Sequence, residues 1–168
     1  MSVNTRKVTG RRKLRFETMA ELEEEIERLA VADVECLGNW SLGQIFSHLA
    51  RVLVTAVEGN YRPPLISRLI GFVFRPLLRR WLLETGMPAG LPHKGIPVIG
   101  TVPKANAMFA DLSFTTQEGL AELRTAIDRY KSTEKLSPHP AFGDIGHDGW
   151  NRFNFRHAEL HLSFVVPK

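Results

Sequence analysis

Six histidines are scattered along this 168-residue chain, and three of them fall where side chains can be brought together. His157 and His161 stand four positions apart in a segment whose Trp150, Phe153, Leu160 and Phe164 recur at steps of three and four. On a helix those steps share one face, so the two imidazoles stack one turn apart and point the same way. Two such rings can grip one divalent ion, because their reach suits bonds of about 2.0–2.1 Å to zinc. His48 lies between Ile45 and Val52 on another apolar stripe, and a third nitrogen from a facing helix is what a metal site in a helical core requires.

A pair at this spacing arises readily by chance, and a lone histidine on an apolar face is commonly a hydrogen-bonded core residue. Three imidazoles in one small core are harder to satisfy that way. The same stripes offer few other polar groups, chiefly Gln44 and Asn154. Three neutral imidazoles would leave one or more coordination positions for water or substrate, as catalytic sites do. Zinc is favoured by the ligand type, while nickel and iron remain compatible with it.

The segment His157-Ala-Glu-Leu-His161 is not the HExxH of zinc proteases, whose glutamate follows the first histidine directly. At 100° per residue Glu159 points about 200° from His157, which reads as a surface position. The Glu-x-x-His pairs of di-iron bundles are also absent. For a general acid or base the candidates are His139 and His147, in the loop leading into the last helix, with His139 between two prolines reading more readily as a structural cap. Cys36 is the one cysteine, and ahead of a helix it reads as packing rather than as a nucleophile. His93 suggests no role.

The elements that must position these residues announce themselves by capping boxes, in which a side-chain oxygen and a carboxyl or amide three residues on satisfy free backbone amides. Thr18-Met-Ala-Glu21 opens a helix with Met19, Leu22, Ile26 and Leu29 on one face, ending near Val31. Ser41-Leu-Gly-Gln44 opens a second, with Ile45, Leu49, Val52, Leu53 and Ala56 as its stripe and Gly59-Asn60 as its stop. Leu65–Glu84 reads as a third helix, kinked at Pro76, with Arg68, Arg75 and Arg79 along one side. Residues 86–114 form a long Pro-rich connection. Thr115-Thr-Gln-Glu118 opens a helix carrying Leu120, Leu123, Ile127 and Tyr130, and the last helix runs from about His147 to Phe164. No stretch alternates convincingly as a strand. The expected class is all-α: a four-helix bundle with an extra helix and a long Pro-rich loop in the crossover.

Composition bounds the rest. An apolar fraction of 43% and a charged fraction of 24% suit one globular domain, expected over residues 14–168 behind a basic, flexible arm at 1–13. The arm's Arg11-Arg12 is followed by Glu17 and a run of acids, with no apolar segment, so it does not read as an export signal. The arginines within residues 65–83 interrupt any membrane span. The net charge of +4 is mild and gathered at the N-terminus, which speaks against a nucleic-acid partner. A cytoplasmic protein with a small-molecule substrate is the expectation.

The segments Trp40-Ser-Leu-Gly-Gln-Ile-Phe-Ser-His48-Leu-Ala, His139-Pro-Ala-Phe-Gly143 and Trp150 leading into His157-Ala-Glu-Leu-His161 resemble the DinB/YfiT-like superfamily of metal-dependent helical proteins. The likeness runs from about residue 12 to residue 164. It implies an up-down-down-up bundle, often dimeric, with zinc, nickel or iron at the positions of His48, His157 and His161. It also implies chemistry of the metal-dependent hydrolase or thiol-transferase kind, the latter with a low-molecular-weight thiol. The competing reading from another class is a non-enzymatic, metal-stabilised module that binds a partner.

Overall fold

The computed structural model describes residues 3–59, 80, 82–89, 114–140 and 142–168. Within them the chain is mostly helical, with one small two-stranded sheet: α1 (Met19–Val31), β1 (Val34–Cys36), α2 (Leu42–Glu58), α3 (Thr116–Ser132), α4 (Gly146–Leu162) and β2 (Val165–Pro167). Residues 82–85 are also helical. Most of the expected Leu65–Glu84 helix, its Pro76 kink and arginine stripe, and nearly all of the 86–114 connection lie outside the described residues. None of the described helices is long and apolar enough to cross a membrane.

All three capping boxes form, at Thr18 and Glu21, Ser41 and Gln44, and Thr115 and Glu118. α2 stops at Gly59, which takes the left-handed conformation at φ 61° and donates its N–H to Thr55 O. A residue without a Cβ adopts that conformation at little cost, which is why glycine ends helices so often. α4 starts without a side-chain cap at Ile145.

The core is built from Leu22, Ile26 and Leu29 of α1, the whole predicted stripe of α2, and Leu120, Leu123, Ile127 and Tyr130 of α3. Among the described helices, α2 and α3 meet backbone to backbone. At their crossing a Cβ added to Gly119 would stand 2.9 Å from the Gly43 carbonyl carbon and closer still to its oxygen. Two glycines therefore let one backbone rest directly on the other, and α2 is held with little freedom to shift.

Three expectations are corrected. The chain does contain strands: Val34, Glu35 and Cys36 pair antiparallel with Pro167, Val166 and Val165. Three residues are too few to display a period of two, so alternation could not reveal them. α4 ends at Leu162 rather than Phe164, because the following residues turn and join that sheet. Glu159 is not on the surface but 9% exposed. The reason is the N-terminal segment, which lies over that side of α4. Phe16 is buried and donates its N–H to Glu159 Oε1 at 2.7 Å, while Arg156 donates to Phe16 O at 2.6 Å and to Glu159 Oε2 at 3.1 Å. Further back, Arg11 donates to Ser163 Oγ at 2.7 Å, and Arg12 donates to Val165 O at 2.5 Å and pairs with Glu25 at 2.6 Å. Burial on α4 consequently extends around to Phe155, Arg156 and Ala158, while the histidine face itself is only half-buried.

Candidate metal centre

α2 and α4 carry the site. The capping box at Ser41 fixes where α2 begins, and two turns later the stripe delivers His48, 5% exposed, towards α4. His157 and His161, one turn apart on α4, meet it. The Nε2 atoms of His48 and His157 are 3.2 Å apart, and those of His157 and His161 are 3.0 Å apart. One nitrogen from each of the three rings lies within 4.8 Å of the other two.

That spacing discriminates between the two readings of the histidines. Each imidazole nitrogen presents either one N–H or one lone pair in the ring plane. His157 Nε2 faces two neighbours at hydrogen-bonding distance and can satisfy only one arrangement well. Three lone pairs around a cation have no such conflict. Bonds of about 2.0–2.1 Å at tetrahedral angles put ligand nitrogens about 3.3 Å apart, within a few tenths of the distances observed. The donor set therefore fits a divalent ion of the zinc type.

Burial pushes the imidazolium pKa values of His157 and His161 well down, and the proximity of the other histidines pushes them further. The rings are neutral at neutral pH, with lone pairs available. Stacking fixes their planes. Trp40 lies parallel to His161 at 5.2 Å and 13°, and is also 4.9 Å from His48; Phe153 stacks on His157 at 5.8 Å and 21°. Ligating histidines usually hand their second N–H to an acceptor. Here His157 Nδ1 is buried and has no partner among the described residues, so packing against Phe153 holds that ring.

The other sequence candidates separate. Gln44 uses its side-chain oxygen to accept the Ser41 N–H at 2.8 Å, as the cap requires. Asn154 is buried on α4 with its amide nitrogen unpartnered among the described residues. His139 is 8% exposed in a box of Phe142, Trp150 and Phe153, with ring centroids 4.4–4.8 Å away. Its Nδ1 accepts the Phe142 N–H at 3.2 Å, closing its own loop, and burial lowers its pKa to about 3. His147 is exposed and lies 2.9 Å from Glu134 O across the loop after α3. Neither belongs to the group of three converging nitrogens. Burial raises the Cys36 thiol pKa, which suits packing better than nucleophilic attack.

Two residues that position the rings carried no role in the sequence reading. Trp40 stands just before the α2 cap, and Phe153 one turn before His157. The signal for Phe153 was its i, i+4 spacing to a candidate ligand. Trp40 lies outside the helix, so no periodicity could point to it.

A mostly helical protein with three converging imidazoles is thus the class that fold and site define. The chain belongs to the family described as "Protein of unknown function (DUF1569)", whose profile matches residues 8–168. No curated protein and no solved structure matches the chain.

Proposed function

We propose that this protein is a metal-dependent enzyme of the DinB/YfiT type, a hydrolase or thiol transferase acting on a small molecule. His48, His157 and His161 would hold a divalent ion, zinc by preference and nickel or iron as alternatives. The up-down-down-up bundle, a homodimer and a cytoplasmic setting belong to the same proposal. The observation that carries it is the convergence of three Nε2 atoms at 3.0 and 3.2 Å.

Three protein ligands leave the coordination of zinc incomplete, which is the arrangement of catalytic sites, whereas structural sites are closed by four. When bound, such an ion supplies Lewis acidity, lowering the pKa of water at the open position towards about 7 or stabilising a thiolate there. The chain's own part is to present three lone pairs from rings held by Trp40 and Phe153, on a half-buried face that a small substrate can reach. His139 and His147 are the weak candidates for proton transfer. His139, neutral and enclosed by aromatic rings, is the poorer of the two.

Cobalt(II) substitution tests the open position. The full chain reconstituted with cobalt should show an intense absorption spectrum of low coordination symmetry, and adding 2-mercaptoethanol should produce a thiolate-to-cobalt charge-transfer band. A spectrum unmoved by thiol and by pH would mean a closed site and would favour the metal-stabilised binding module instead.

A further inference from the structure

On the flank of α4 beside the histidine face is a cavity of about 430 Å³, between the N-terminal segment and residues 85–88. Its volume falls within the range of small-molecule sites. Arg11, Arg12, Lys13 and Arg156 contribute to its wall, with Glu159 as the acid among the lining residues. Not all of these charges are balanced. Arg12 pairs with Glu25 at 2.6 Å, and Arg156 with Glu159 at 2.9 Å. Arg11, by contrast, bonds only to neutral oxygens among the described residues, Ser163 Oγ at 2.7 Å and Leu160 O at 3.5 Å, and lies 4.1 Å over the Phe164 ring. Burial moves its pKa down, and no anion moves it back. Lys13 has no ion pair or hydrogen bond among the described residues. Arg156, 1% exposed, binds Glu159 and Phe16 through its terminal nitrogens, and its Nε has no partner among the described residues.

We propose that this cavity binds a small organic anion, with its charged group between Arg11 and Lys13 and its apolar part against Leu14, Met87 and Leu160. Two cations with no anionic partner among the described residues, on the wall of one concavity, attract a carboxylate, sulfonate or phosphate, and a guanidinium held still by a hydroxyl and a ring loses little freedom on binding it. The apolar residues of the same wall select an anion carrying hydrocarbon over a bare inorganic one. At about 100° per residue, Arg156 faces a quarter-turn or more from both His157 and His161, while Leu160 lies between them and Arg156, about 60° from His157. The anion site therefore uses none of the three imidazoles, but it adjoins them: Arg11 lies near enough to His161 to help push its pKa down.

Backbone amide shifts of the ¹⁵N-labelled full chain, titrated with naphthalene-2-sulfonate, test this. Saturable shifts should cluster on residues 11–14, 85–88 and 156–163. Affinity should fall at least about tenfold for the neutral naphthalene-2-sulfonamide and for Lys13→Glu, and survive in Lys13→Arg. Lys13 is exposed, so a well-dispersed spectrum of the Lys13→Glu chain checks that the fold is kept. Shifts clustered elsewhere, no saturable shift, or equal binding of the sulfonamide or by Lys13→Glu would each overturn the proposal.

Discussion

Replacing Gly119 by alanine sets two physical effects against each other, and their sizes decide the sign. In a helix interior alanine is better than glycine by about 1 kcal/mol, so propensity alone calls for a more stable protein. The added methyl, however, would lie 2.9 Å from the Gly43 carbonyl carbon and 3.0 Å from its Cα, where ordinary contacts are 3.4–4 Å. Both partners are backbone, so no side chain can rotate away, and α2 and α3 must part by about 1 Å along much of their contact. Overpacking of that kind costs about 1–3 kcal/mol, and here the upper end applies. The net loss is about 2 kcal/mol, which for a domain of this size lowers Tm by about 4–8 °C. Thermal unfolding followed by circular dichroism, with Gly43→Ala as the reciprocal change, reads it directly. A Gly119→Ala protein melting at or above the wild-type temperature would refute the close-crossing argument. Because His48 follows Gly43 by little more than one turn on α2, the same displacement should also weaken metal binding.

Glu159→Gln should cost about 3 kcal/mol, because it leaves the buried Arg156 charge without its main partner. Chemical denaturation measures it, and a double Arg156→Met, Glu159→Gln protein should lose less than the two single changes summed. Acid stability should depend on His139, whose folded pKa of about 3 lies below its ordinary value of 6.5. The unfolded chain takes up the proton first, so stability is full above about pH 6.5 and falls as pH drops towards 3, by up to about 1.4 kcal/mol per unit. Between pH 7.5 and 5 the wild type should therefore lose about 2 kcal/mol more than His139→Asn, which keeps an acceptor for the Phe142 N–H. Equal losses in urea titrations at the two pH values would show that His139 is not buried in its neutral form.

The sequence speaks clearly wherever one local segment decides the outcome. Capping boxes need only three consecutive spacings, and all three expected boxes form; the Gly59 stop is equally local. The convergence of His48, His157 and His161 was legible because each sits on a strong apolar stripe, and two stripes of one small core must meet. What failed depended on who covers whom. Glu159 was assigned to solvent from its angle on the helix, and the residues that bury it, Phe16 and Arg156, approach from a segment more than 140 positions away and from the next turn. The Gly43 and Gly119 crossing leaves no mark of its own in composition, since a glycine inside a helix looks like a weakness until the neighbouring backbone is seen.

Elemental analysis of the full chain, purified without chelator and after exposure to zinc, bears most directly on the three-histidine centre. About one divalent ion per chain is expected in the wild type, falling to a small fraction of that in His157→Ala, whose Nε2 is the atom shared by both short contacts. A wild-type chain that takes up no stoichiometric metal, or a folded His157→Ala chain that holds as much as the wild type, would contradict it.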